Sequence, residues 1–492
     1  MEGIGKQVIV EDVKRLNILC ISVFVGIINN FFYANYYIML GLVILELLIL
    51  CCCLIKGRWD KFLCYYVLFL SSSLENSFQI SGKEVEYGFK AFKILGINIS
   101  VYVILFFLLC FIKKYKIVFF FEFRPLRNLQ IGSLLLIPIG LISGIISITN
   151  NYNSIRSYKG HLGDFFRWGY TYALIALEIF IFSQVIYRSK SIKIYKEYML
   201  YIAIGQISAA LISHLFCNYN YAYGEIIGFI APITLVHLIY LIMFPMYKEY
   251  SGKQKLCIFF ASVVNILNIV LYAGGQKILM VAIIPFIMIL IYYENREKRK
   301  LLLFIMFCIS SVGIAIIIFI LLSAKIYSNT RVSEELGDVL SMVSFWKSGW
   351  IDNMHHSPKV RIVEIINIIY EYIRQPFSFF LGRGFLGTYR DNLRLLDIIV
   401  PSDYLMWERK LGSYSSVHES FTQFLLYFGL YGVFFYVNTL KNIIVNISKS
   451  PWLLIGLAWF ALHYAFSMTA ISYGAFSLVI GFFDVWNKKQ NL

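Results

Sequence analysis

The chain has 492 residues, of which 59% are hydrophobic and only 15% charged, with a formal net charge of +16 and a mean hydropathy of +0.71. A soluble domain carries about 45–50% apolar and about 25% charged residues, so the charges here are too few to cover a water-soluble globule of this size. Soluble enzyme, fibre, secreted disulfide scaffold and disordered chain are excluded, and the composition is that of a polytopic membrane protein.

The first fifteen residues mix charges and no small-residue cleavage site follows the first apolar run, so a cleavable signal peptide is not expected. A spanning helix needs about 20 mostly apolar residues. Such runs are predicted near 16–33, 37–55, 62–79, 94–112, 129–149, 169–187, 198–216, 226–246, 256–274, 278–293 and 301–323. After a long interruption they resume near 420–440, 452–468 and 470–486, which makes about 14. The nine cysteines show no CxxC pair and no Cys/His cluster, so neither a disulfide framework nor a zinc site is implied. Glu46, Glu178, His214, His237 and His463 fall inside predicted spans; each can be functional or satisfied by a neighbouring helix, and no role is assigned to them. No repeat relates the two halves, which weakens a duplicated transporter, and no nucleotide-binding loop is present.

Orientation follows from Lys and Arg. With the N-terminus cytoplasmic, the inside segments hold 26 basic residues and the outside loops other than the long one hold seven. Both termini are then cytoplasmic. The positive charge is mainly a topology signal, and no nucleic-acid partner is expected. The expected fold is all-α, a polytopic integral membrane protein of about 14 transmembrane helices. It divides into helices 1–11 (residues 1–323), a long external loop with amphipathic helices (324–419) and helices 12–14 (420–492).

A loop of roughly 96 residues is uncommon between spans and marks function. Within it, 358–374 follows a helical period that gathers Arg361, Glu364, Asn367, Glu371 and Arg374 on one arc. Such a helix is expected at the membrane–water boundary or across the mouth of the bundle. Pro376 ends it, and the turn LGRGFLG (381–387) follows, its Gly382, Gly384 and Gly387 shaping the chain. The segment then passes through TYRDNLR (388–394) and MWERKLGSYSSVHES (406–420) and re-enters the membrane. His355-His356 has the look of a metal pair, but no third ligand is apparent, and no metal or other cofactor is expected.

Arg361, Pro376, Gly382-Arg383-Gly384-x-x-Gly387 and His418-Glu-Ser-Phe-Thr-Gln-Phe-Leu-Leu-Tyr-Phe-Gly429-Leu-Tyr-Gly432 together resemble the shared C-terminal region of bacterial O-antigen polymerases (Wzy) and O-antigen ligases. Gly274-Gly275-Gln276-Lys277 stands where that superfamily has a small/Ser-Arg motif. Glu419 replaces the usual Asn and Lys277 the usual Arg, the latter keeping charge but losing bidentate contact. The resemblance implies a metal-independent glycosyltransferase of the bacterial inner membrane. Its substrates would be undecaprenyl-diphosphate-linked oligosaccharides, with membrane lipid and a chain-length regulator protein as partners. It further implies that Arg361, Lys277 and Arg156 clamp the diphosphate, with Arg383 a further cation of the binding set. His418 would be the base, imidazole titrating near neutrality, and Glu419 would orient it or be the base itself. Tyr389, Trp407 and Tyr414 are expected to be external and to stack on sugars. Each residue also has a plainer reading: Arg361 can pair with Glu364 one turn on, Lys277 can be an interfacial lysine, and Arg156 an ordinary loop charge. Polymerase, ligase and lipid-linked oligosaccharide flippase all remain open. The Ile/Phe/Tyr-rich, Ala-poor composition leans toward the polymerase, and the long motif-bearing loop speaks against the flippase.

Overall fold

The computed structural model describes residues 15–32, 35–72, 92–149, 162–216, 356–392, 412–450, 452–463 and 468–490 apart from single positions, with short pieces between 79 and 89 and between 404 and 409. The spans predicted near 226–246, 256–274, 278–293 and 301–323 lie outside the described residues, as do most of the loop before residue 356, Arg156, Lys277 and Trp407.

The first part of the chain forms α1 (Arg15–Phe32), α2 (Tyr36–Ile55), α3 (Trp59–Ser72), β1 (Gln79–Ile80), β2 (Lys83–Glu84), β3 (Lys93–Ile94), β4 (Ile97–Asn98), α4 (Ile99–Lys114), α5 (Arg124–Thr149), α6 (Leu162–Arg188) and α7 (Ile192–Phe216). The C-terminal part forms α8 (His356–Arg374), α9 (Pro376–Leu381), β5 (Tyr389–Arg390), β6 (Ser413–Tyr414), α10 (Ser420–Asn446), α11 (Trp452–His463) and α12 (Met468–Gln490). The described chain is thus mostly helical. Three two-residue antiparallel pairs, β1–β2, β3–β4 and β5–β6, were not part of the sequence expectation. Among the described residues, α2, α5, Thr171–Arg188 of α6 and α10 are long and apolar enough to cross a membrane.

Helix ends depart from the apolar runs where polar residues extend the helix beyond them. α5 starts at Arg124 rather than near 129, because Arg124, Arg127 and Asn128 are helical without being apolar. Arg127 N–H already donates to Phe123 O at 3.1 Å, and Pro125 sits in the first turn, where its missing donor matters least.

Among the described elements α3 is buried along nearly its whole length and packed against α1, α2, α6, α7 and α12. Burying polar groups in such an interior requires partners. Tyr66 donates to Glu178 Oε1 at 2.9 Å, joining α3 to α6. Gln206 Nε2 donates to Ser71 and Ser72, both at 2.9 Å, joining α7 to α3. Lys196 and Asp484 form an ion pair at 2.9 Å between α7 and α12. Glu178 thereby ties α6 to α3 through one of its two carboxyl oxygens. Glu46 is buried in α2 with neither carboxyl oxygen hydrogen-bonded.

α10 packs on α5, α9 and α11, and α8 lies beside α9 and the start of α10. This corner of the molecule carries the motifs of the loop.

Candidate functional site

Helix α8 does not lie across the mouth of the bundle. Its Arg361 and Glu364 meet residues 418–419, while Tyr372, three turns further on, donates to the carbonyls of Leu425 and Leu426 at 2.8 and 2.9 Å. The helix therefore runs alongside α10 in the same direction. Its polar arc faces the protein: Glu364, Asn367 and Glu371 are buried, and so are Val360, Val363 and Ile368.

The turn after α9 explains its glycines. Arg383 N–H donates to Leu426 O and Gly384 N–H to Tyr427 O, each at 2.9 Å, and Phe385 N–H donates to Gly140 O at 3.2 Å. Gly384 has φ +73°, and a Cβ there would fall 2.0 Å from the Gly144 nitrogen. α10 is broken at Gly429, with φ 55° and ψ −137°; a Cβ there would fall 2.5 Å from Gly382 N and 2.6 Å from Phe379 O. The carbonyls near this break are those that Arg383, Gly384 and Tyr372 cap. Gly382 and Gly429 thus let the turn touch the backbone of α10, and Gly384 lets it touch that of α5.

His418 and Glu419 stand immediately before α10, Glu419 as its N-cap. His418 Nδ1 lies 2.7 Å from Glu364 Oε1, and the His418 backbone N–H donates to Glu364 Oε2 at 3.1 Å. Tyr404 donates its hydroxyl to Glu364 Oε1 at 2.9 Å, and its ring meets the imidazole edge-on at 5.6 Å. Glu364 is fully buried, whereas His418 keeps a quarter of its side chain accessible. Arg361 Nε pairs with Glu419 Oε1 at 2.7 Å, both partly accessible. Burial pushes the Glu419 carboxyl above the ordinary carboxylate range; Arg361 opposes this most, Glu364 adds to it, and His418 opposes it.

Two carboxylates therefore divide the work between two cations or proton acceptors. Glu364 orients His418 and Glu419 holds Arg361. In the sequence Glu364 is only a neighbour of Arg361 one turn away. Its part in the site depends on α8 lying against the residues before α10, a contact 54 positions apart in the chain. With Nδ1–H donated to Glu364, the basic lone pair of the imidazole is on Nε2, and a proton taken there gives an imidazolium facing a buried carboxylate.

Other expected site residues are elsewhere. Arg383 is 2% exposed and pairs with Glu371 at 2.6 Å. It also donates to the Thr388 carbonyl and to Gln375. A guanidinium so enclosed is a structural cation of the turn, which corrects its assignment to a substrate-facing set. Tyr389 and Tyr414 are paired across β5–β6 and are 0% and 2% exposed. Their rings pack at 5.7 Å, Tyr404 meets Tyr414 at 4.6 Å, and Tyr389 and Tyr404 share a hydroxyl contact at 3.3 Å. The two tyrosines are thus internal struts behind Glu364, not external platforms. The reason is the pleat of the β pair, which turns both rings toward α8. Glu408, also buried, receives the backbone N–H and the hydroxyl of Ser415, each at 2.7 Å, and so fixes the approach to His418.

Comparison with protein-family models, curated proteins and solved structures finds no match to this chain.

Proposed function

We propose that the chain belongs to the superfamily of O-antigen polymerases and ligases and acts as a polymerase of lipid-linked polysaccharide repeat units. The growing glycan would leave its undecaprenyl diphosphate and join a hydroxyl at the non-reducing end of a new lipid-linked unit, at the outer face of the bacterial inner membrane. The about 14 spans, the cytoplasmic termini and the long external loop belong to the same reading.

One observation carries it. A Glu364–His418 pair and an accessible Arg361 meet at the N-terminal end of α10, a helix apolar enough to cross a membrane. Glycosyl transfer from a diphosphate needs a base for the acceptor hydroxyl and a cation where charge grows on the departing diphosphate. His418 Nε2 takes the hydroxyl proton, and Glu364 stabilises the imidazolium that results. Arg361 offers the planar fork suited to phosphate, and an incoming diphosphate competes with Glu419 for it. Lys277 and Arg156 remain proposed partners in the diphosphate clamp. Tyr389, Tyr414 and Arg383 support the scaffold instead.

Proteoliposomes supplied with purified lipid-linked repeat units test this. Glycan lengthening on the lipid carrier is expected. Translocation without lengthening would replace the reading with a flippase, and transfer only onto a lipid A-core acceptor would replace it with a ligase.

A further inference from the structure

Residues 356–392 go in and come back beside α10. α8 descends along α10 from the level of residues 418–419 to that of Leu425 and Leu426. α9 then reaches Gly429, and the chain returns through Gly382–Phe385. On the way back Asp391 accepts from Asn367, and Arg390 N–H donates to Glu371. The turning point touches α10 at Gly429 and α5 at Gly140 and Gly144. Gly429 is nine residues from Ser420, and Gly140 nine residues from Thr149. At about 1.5 Å per residue both lie roughly 13 Å inside the ends of their helices. Against a hydrocarbon core of about 30 Å, that is close to half its depth.

The chemistry of the hairpin matches this depth. Backbone groups in hydrocarbon must be satisfied within the protein. The turn does so through the bonds to Leu426, Tyr427 and Gly140 and through Ser143, which donates to Leu381 O at 2.7 Å. Its buried cation, Arg383, is paired with Glu371. The outward apolar residues are Ile369 and Ile373, one turn apart on α8, and Phe377 and Phe380, one turn apart on α9, exposed by 47%, 75%, 45% and 57%. Both supporting helices carry exposed apolar residues next in sequence to the points the hairpin touches: Ile142 and Ile145 flank Ser143 and Gly144 on α5, and Leu430 follows Gly429 on α10, with Phe434 one turn further. Arg374, the exposed cation nearby, folds back over the Tyr370 ring at 4.3 Å, toward the start of α8 and away from the turn.

We infer that residues 356–392 form a re-entrant hairpin whose Ile369, Ile373, Phe377 and Phe380 contact the hydrocarbon of the bilayer. The occupant of this face is lipid acyl chain, because the hairpin packs against two helices apolar enough to cross a membrane and exposed apolar residues flank its contacts on both. The inference rests on α5 and α10 spanning the bilayer and is independent of any catalytic role.

Photocrosslinking tests it in the full chain. Benzoylphenylalanine is incorporated at Phe380, and separately at Ile373, Leu430 and Arg390. Each protein is irradiated in phosphatidylethanolamine–phosphatidylglycerol vesicles and its adducts are read by mass spectrometry. Acyl-chain adducts at Phe380 and Ile373 are expected at yields comparable with Leu430 and at least about tenfold above Arg390, as a hydrocarbon-facing position requires. Crosslinks to other segments of the chain in place of lipid, with Leu430 still giving lipid adducts, would overturn the inference by showing protein on this face. Yields at the Arg390 level, again with Leu430 positive, would place these residues in water and overturn it as well. Lipid adducts missing at Leu430 too would remove the spanning helix on which the inference stands.

Discussion

Glu364 presents both carboxylate oxygens to His418, one to the ring and one to the backbone, and receives the Tyr404 hydroxyl as well. Replacing it by glutamine keeps the size but removes the charge that fixes the tautomer and steadies the imidazolium. Glu364→Gln is expected to lower kcat by about 10²–10⁴-fold with little change in KM, and Glu364→Asp to restore part of it; assays on proteoliposomes read both. An unchanged kcat would remove Glu364 from the site. Arg361→Ala is expected to abolish lengthening while membrane insertion persists, and Arg361→Lys to retain a small fraction, since the charge stays and the fork is lost. Glu419 carries a pH signature. Its carboxyl is raised by burial, so it holds its proton more tightly folded than unfolded. The stabilisation is complete below the unfolded value, about 4.3, and is lost as pH rises through the higher folded value. Thermal melts in detergent should therefore show a decline over that interval, which Glu419→Gln flattens; a decline of the same size in the variant would refute the assignment.

At the scale of elements, α8 is visible in the sequence together with its C-terminal limit. The polar arc of α8 and the stop at Pro376 were read from a period of 3.6 residues, which local backbone geometry dictates. The direction in which α8 would lie was not readable, because it depends on hydrogen bonds to carbonyls set loose by the break at Gly429. That break looks like an ordinary Gly-Leu-Tyr-Gly step in a long apolar helix. Gly384 and Gly412 both have positive φ, but only Gly384 meets backbone within 4 Å. Gly384→Ala is expected to cost about 3 kcal/mol or more through overpacking and strain. Gly412→Ala should lose only the smaller backbone contribution. Unfolding midpoints in detergent compare them, and equal losses would show that the turn can yield.

For the molecule as a whole, buried charge has to be matched across elements. Arg383 and Glu371 are enclosed together, and removal of one partner from such a pair typically costs about 3–5 kcal/mol. Arg383→Met alone should destabilise by that amount. Arg383→Met combined with Glu371→Leu should recover much of the loss, as midpoint shifts would report. A double variant no better than the single would mean that packing, not charge, dominates there. Composition alone pointed to a membrane protein at the all-helical end of the fold range, since too few charges exist to coat a soluble surface and isolated spans must satisfy their own backbone; the described chain is mostly helical, with four helices apolar and long enough to cross a membrane. The resemblance to a known superfamily singled out Arg361, His418 and the Gly-rich turn as candidates, because their neighbours in the chain carry its motifs. Only the tertiary structure paired Glu364 with His418 and Glu419 with Arg361, and enclosed Arg383, Tyr389 and Tyr414. Those outcomes follow from contacts between segments 12 to 58 residues apart, where burial and ion pairing depend on which helix faces meet.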